Sequence, residues 1–130
     1  MADTQNALQK AVFAVLAADA ELLAIVGADG ISDRRMTGRS MPYLVIAELE
    51  SRDFGPQTEE HFLTIEAWPT ADGRRQVQTM AGRVRALLHD AAPLLDGAML
   101  INLRHVSTRV RREARTKAFV AEMRFRAVTE

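Results

Sequence analysis

Apolar and charged side chains alternate strictly near the end of the chain. Between residues 117 and 128, one alternate set is apolar and the set between it is mostly charged: Phe119, Ala121, Met123, Phe125 and Ala127 against Val120, Glu122, Arg124 and Arg126. A period of two predicts a strand with one face in the core and the other outside it. Because residues 99–110 are also rich in strand formers, we expect a long hairpin over 99–128 with its tip at 111–116.

The phase of the alternation changes inside the first strand of this hairpin. Two sets of strand formers fall on opposite faces: Met99, Ile101 and Leu103 on one, and Val106, Thr108 and Val110 on the other. One extra residue would bring both sets to the same face. We therefore expect a β-bulge or bend near Arg104 and His105.

A second hairpin is predicted in the first half of the chain. Residues 42–50 and 61–68 read as strands, because both are rich in β-branched and aromatic residues and Pro42 and Pro69 bound them. The segment 51–60 contains Gly55-Pro56 and is predicted to be a longer connection. Residues 34–41 are polar and basic and are predicted to form a loop.

Helical spacing of apolar residues predicts three helices, over residues 4–18, 20–26 and 73–89. Asp19 is the expected N-cap of the second helix and Gly27 its left-handed stop. The third helix has the clearest apolar stripe, made by Val77, Met80, Ala81, Val84, Leu87 and Leu88. Two hairpins and these helices predict a single α+β domain over 1–130, an antiparallel sheet of about four strands with helices packed on one face.

Charge is balanced in total but not along the chain. There are 17 basic and 17 acidic residues. Residues 1–33 carry a net charge of −4, whereas residues 101–130 carry +5. The neutral total argues against a protein that coats DNA, and the asymmetry predicts a molecule with a polar axis or copies that meet head to tail.

The residue types that carry catalysis are not arranged for it. The chain has no cysteine, which excludes disulfides, thiolate metal sites and cysteine nucleophiles. Its histidines have no metal-ligand spacing, no serine lies in a nucleophile elbow, and no phosphate-binding glycine motif is present. His89 is expected to complement the negative end of a helix rather than act as a base. We predict no enzyme activity, no cofactor and no metal, and no apolar run is long enough to span a membrane.

The predicted tip of the 99–128 hairpin is strongly basic. Within residues 104–117, only Glu113 opposes the bases Arg104, Arg109, Arg111, Arg112, Arg115 and Lys117. Such a tip is either a solvated surface, a protein contact or a nucleic-acid contact, and the absence of interleaved aromatic residues weakens the last of these. Phe54 in the 51–60 connection is either a partner anchor or a residue that folds back onto the domain.

Four segments together carry a family resemblance: LQKAVFAVLAADAELLAIVG, PYLVIAELESRDF, HFLTIEAWPTADGRRQVQTMAGRVRALLHDA and LLDGAMLINLRHVSTRVRREARTKAFVAEMRFRA. The most specific points are Trp68, the Leu88-His89-Asp90 helix end and Asp96-Gly97. From Leu8 to Ala127 the chain resembles the small tail-completion proteins of long-tailed phages, also called tail terminator or head-to-tail joining proteins. Members of this family also occur in phage-like gene transfer agents.

The resemblance implies a structural role in a virion or phage-like particle, with the protein made in the bacterial cytoplasm. Such proteins form a homo-oligomeric ring, usually of six copies, at the head-proximal end of the tail tube. The ring stops tube growth and joins the tail to a head-side connector or stopper, with the sheets lining the lumen. DNA passes through that lumen without sequence-specific binding, and no membrane is involved.

A closed head-to-tail ring needs two different, complementary patches on every copy. We expect the basic tip to supply one of them, and the loops 34–41 and 51–60 to contact the tube or connector. The expected interface residues are Arg109, Arg111, Arg112, Arg115, Lys117, Arg34, Arg35, Met36, Arg39 and Phe54. Two alternatives stay open: another neck or tail-tube ring protein, and a DNA-contacting accessory protein that uses the basic hairpin 104–117.

Overall fold

The computed structural model describes residues 4–33, 42–70, 73–115 and 118–130. Within these ranges it contains three helices and five strands. In chain order they are α1 (Thr4–Ala17), α2 (Ala20–Val26), β1 (Ile31–Ser32), β2 (Tyr43–Asp53), β3 (Glu59–Trp68), α3 (Arg74–Leu88), β4 (Leu100–Arg112) and β5 (Phe119–Thr129). All three predicted helices are present, within one residue of their predicted ends. The predicted loop 34–41 lies outside the described residues.

The strands form one mixed sheet in the order β1-β2-β3-β5-β4. The two predicted hairpins, β2–β3 and β4–β5, are joined side by side through antiparallel pairing of β3 with β5. The expectation of about four antiparallel strands misses β1, which pairs in parallel with β2 at Leu44 and Val45. A strand of two residues is too short to show an alternation, so the sequence pattern could not reveal it.

The first hairpin is longer than its sequence pattern predicts. β2 continues to Asp53 and β3 begins at Glu59, so the connection shrinks from 51–60 to residues 54–58. The extra length is held by the cross-strand pairs Ser51–His61 and Arg52–Glu60. Polar residues at these positions look like a loop in sequence, but here they are paired with each other in the sheet.

A β-bulge lies in β4 close to the predicted place. The register with β5 shifts between His105 and Ser107, which leaves Val106 as the extra residue. Leu103, Thr108 and Val110 thereby all pair with core-facing residues of β5. A second shift, between Leu100 and Asn102, was not predicted.

Local signals place the short helix α2 where expected. Asp19 Oδ2 accepts a hydrogen bond from the backbone N–H of Leu22 at 3.0 Å, and Gly27 follows the helix with φ of 81°. Asp19 also accepts two hydrogen bonds from the Arg83 guanidinium, at 2.6 and 3.0 Å. This pair joins α2 to α3 and lowers the pKa of the Asp19 carboxyl.

The helices cover one face of the sheet, as predicted, and the core lies between the two layers. The largest fully buried apolar side chains include Phe125, Leu63, Ile65, Met80 and Met123. α3 buries Val77, Met80, Ala81, Val84 and Leu88. No helix covers the opposite face within the described residues. Its apolar part is a small cluster in which Tyr43 stacks on Trp68 with ring centroids 5.9 Å apart.

Candidate assembly surfaces

We call the side of the sheet opposite the helices the open face. It is made by alternate residues of four strands: Glu48 and Glu50 of β2, Glu60, Phe62, Thr64 and Glu66 of β3, Arg109 and Arg111 of β4, and Glu122, Arg124 and Arg126 of β5. Acidic side chains come mainly from β2 and β3 and basic ones mainly from β4 and β5, so both signs are present. The surface is polar without a dominant sign.

Glu60 is a buried carboxylate of the open face, with 4% of its surface exposed. Its two oxygens accept hydrogen bonds from Arg52 Nε at 2.6 Å and from Arg126 Nε. These bonds lower the pKa of the Glu60 carboxyl, with the Arg126 bond as the main cause. A buried carboxylate held by two guanidinium groups fixes the relative positions of β2, β3 and β5.

Phe62 lies at the centre of the open face, and two arginine side chains lie over its ring. The Arg124 guanidinium carbon is 4.6 Å from the ring centroid and that of Arg52 is 5.8 Å away. Both distances suit cation–π attraction. Beside Phe62 is a shallow cavity of about 340 Å³, lined also by Glu48, Glu50, Thr64, Ser107, Arg109, Glu122 and Arg124.

The arginines expected at the interface do not form one free cluster. Arg111 turns onto the open face of its own chain, where Nε donates to Glu122 and Nη2 lies 3.7 Å from Glu66. The Arg112 guanidinium carbon lies 5.7 Å from the centre of the Phe119 ring. Arg109 and Arg115 are exposed, and Arg109 has no ion-pair partner among the described residues. Among the expected interface arginines that the structure describes, Arg109 alone is both unpaired and on the sheet.

Phe54 stands on the short β2–β3 loop and is 51% exposed. The Arg126 guanidinium carbon lies 5.2 Å from its ring centroid, so the side chain contacts its own domain. The remaining expected interface residues, Arg34, Arg35, Met36, Arg39 and Lys117, lie outside the described residues.

The sequence pattern did not predict a buried polar network. His61 is fully buried, with Nδ1 2.6 Å from Ser51 Oγ and Nε2 2.9 Å from Thr129 Oγ1. Gln5 Nε2 of α1 donates to the same Ser51 oxygen at 2.9 Å. The network thus ties α1, β2, β3 and β5 together. Extending the alternation of Leu63, Ile65 and Ala67 backwards by two residues would have placed His61 on the core face.

His89 follows α3 as its C-cap, at the helix end where the sequence analysis expected it. Its Nδ1 accepts a hydrogen bond from the backbone N–H of His105 at 3.0 Å, which anchors α3 to β4. The histidine therefore has a structural partner at that position.

The described part of the chain contains no group of three or more His, Asp or Glu side chains able to hold a metal ion. Among the same residues, no helix has both the length and the apolar character that a membrane crossing requires.

Comparisons with known proteins find a matching family model and a similar solved structure. The family model described as "Tail completion protein gp17" matches residues 10–130. A chain from a solved structure titled "Virion of native gene transfer agent (GTA) particle" is similar, with a TM-score of 0.89 and 25% sequence identity. The similarity covers 100% of this chain and 99% of that one. No match is found among curated proteins. Since the family model matches nearly the whole chain, this protein belongs to the tail completion protein gp17 family, whose members are structural proteins of phage tails and not enzymes.

Proposed function

We propose that this chain terminates and completes a phage-type tail in a gene transfer agent or phage particle. Copies of it form a ring at the head-proximal end of the tail tube.

 The ring contains six copies of this chain, the number that the family resemblance implies. The ring stops tube growth and joins the finished tail to a head-side connector or stopper protein. One observation carries this proposal: the full-length similarity, with a TM-score of 0.89, to a chain of a gene transfer agent virion.

The open face of the sheet suits the lumen of such a ring. Its arginines are largely neutralised within the chain, because Glu60 holds Arg52 and Arg126, and Arg111 is held by Glu66 and Glu122. A surface with paired charges does not release counterions from a phosphate backbone and so does not hold DNA tightly. DNA would pass over it without sequence-specific binding.

The same pairing weakens the alternative of a DNA-contacting accessory protein. A basic hairpin that binds DNA needs arginines free to reach phosphates. Arg111 is committed to carboxylates of its own sheet, and Arg112 lies near the Phe119 ring. The described hairpin therefore offers fewer free cations than its sequence suggests.

Electron microscopy of particles produced after deletion of this gene tests the proposal. We expect tails of uncontrolled length, separated from DNA-filled heads, because nothing stops tube growth or joins the two parts. Restoring the gene in trans should return joined particles with tails of uniform length.

Two other outcomes would overturn the proposal. Joined particles with tails of normal length would remove the chain from tail completion. Heads without any tails, or with short tails, would assign it to the tube or its initiation, which is the neck and tube alternative.

A further inference from the structure

The two edges of the sheet differ in chemistry. At one edge, β4 exposes apolar side chains at both of its irregular positions: Ile101 is 48% exposed and Val106 is 50% exposed. Met99, just before the strand, is also exposed. An unpaired sheet edge with exposed apolar side chains is a surface against which another chain can pack.

The opposite edge carries an apolar groove. A cavity of about 530 Å³ lies between α1 and the β1–β2 edge, with Ile31 and Ile46 buried at its base and the exposed Phe13 ring beside them. Lys10 and Asp33 are exposed at its border. The groove and the apolar row lie at opposite edges of the same sheet, so they cannot meet within one chain.

The strand directions let a second copy continue the sheet in the same orientation. β2 and β5 are both antiparallel to β3, and β4 is antiparallel to β5. β4 therefore runs antiparallel to β2. A neighbour placed beside β4 presents its own β2 in the antiparallel sense, with its helices on the same side, as a cyclic assembly requires.

The pairing register shows which residues would then be adjacent. One row of partners runs across the sheet from Ser32 through Val45, Glu66 and Glu122 to Arg109. A neighbour at the same level brings the unpaired Arg109 of one copy beside Ser32 of the next, with Asp33 one residue further along the chain. Val106 then lies between the rows of Glu48 and Leu49, two to three residues along β2 from Ile46 at the base of the groove.

We propose that the β4 edge of one copy packs against the α1–β1–β2 edge of the next, with Val106 in the groove beside Phe13 and Arg109 beside Asp33. The occupant of the groove is thus a second copy of this chain. This inference deepens the proposed ring by identifying its subunit interface, and it rests on that proposed function.

Cysteine cross-linking tests the interface directly, because the natural chain has no cysteine. The double variant Lys10→Cys with Val106→Cys is treated with a short bismaleimide, both as purified chain and in assembled particles. We expect a ladder of cross-linked species that stops at the ring number, and mass spectrometry should identify 10–106 linked peptides. Mixing the two single variants should give a dimer with one copy of each.

The matched control replaces Lys10→Cys by Gln78→Cys, an exposed position on α3. Only background cross-linking is expected for Gln78→Cys with Val106→Cys. The proposal is overturned if rings or joined particles form but no 10–106 link appears, or if each single variant dimerises as readily as the mixture. Those results leave tail completion intact, whereas the gene-deletion experiment addresses that function alone.

Discussion

His61 shows how a single buried residue makes the fold sensitive to pH. Burial lowers the pKa of His61 below its ordinary value of 6.5, since the protonated ring is disfavoured inside the protein. As the pH falls below about 6.5, His61 therefore binds a proton in the unfolded chain but not in the folded chain. The stabilisation is complete above that pH and is lost progressively below it.

We expect the thermal midpoint of the protein to fall between pH 7.5 and pH 5.5, and to fall less in His61→Gln. His105 also has a lowered pKa, mainly from burial, so the variant should retain part of the pH dependence. Thermal unfolding followed by circular dichroism at several pH values measures both. Identical pH profiles for the two proteins would contradict the role given to His61.

Glu60 allows a second test at the scale of one side chain. Glu60→Gln keeps the shape but removes the charge that Arg52 and Arg126 share, so two guanidinium groups lose their common partner. We expect a lower thermal midpoint at pH 7. Glu50→Gln is the control, because Glu50 is exposed on the same face, and it should leave the midpoint unchanged. Equal midpoints for the two variants would show that the Glu60 pairs do not stabilise the fold.

At the scale of elements, Gly30 and Gly82 make a matched pair. A Cβ at Gly30 would lie 2.2 Å from the carbonyl oxygen of Val26, at the end of α2. The Gly30 carbonyl also accepts a hydrogen bond from Leu44 N–H at 2.7 Å, which holds β1 against β2. A Cβ at Gly82 within α3 meets nothing within 4 Å.

Gly30→Ala should therefore lower the free energy of unfolding by about 1–3 kcal/mol, as overpacking does elsewhere. Gly82→Ala should raise it by about 0.5–1 kcal/mol, because alanine is the better helix former. Urea denaturation gives both values. A stabilising Gly30→Ala would mean that the turn between α2 and β1 can relax without cost.

The elements divide into those that local sequence determines and those that it does not. Asp19 begins α2 by accepting a backbone hydrogen bond, and Gly27 ends it because glycine adopts a positive φ. The phase change around His105 required a bulge. The bounds of α2 and the bulge were therefore predictable. β1 was not, because its pairing depends on Leu44 and Val45, far along the chain. Arg111 is similar: its sequence neighbours suggest a free basic tip, whereas its partner Glu66 comes from a distant strand.

At the scale of the whole molecule, the charge asymmetry of the chain becomes an asymmetry across the sheet. The acidic first third forms β1 at one edge, with α1 packed against β1 and β2, and the basic last third forms β4 at the other edge with β5 beside it. Identical copies with unlike edges associate head to tail, and such contacts either close into a ring or grow without limit. The sequence analysis predicted this polarity, but only the strand order shows that the two charged ends lie at opposite edges.

A charge exchange tests that polarity. Arg109→Asp places like charges at the proposed contact with Asp33 and should weaken association by about 1.4-fold to fivefold at each interface, since exposed ion pairs contribute about 0.2–1 kcal/mol. Asp33→Arg combined with Arg109→Asp should restore it, because every copy carries both edges. Sedimentation velocity over a range of protein concentrations measures the association, and the difference between variants should shrink at high salt. If the double variant associates no better than Arg109→Asp alone, these two residues do not face each other across the interface.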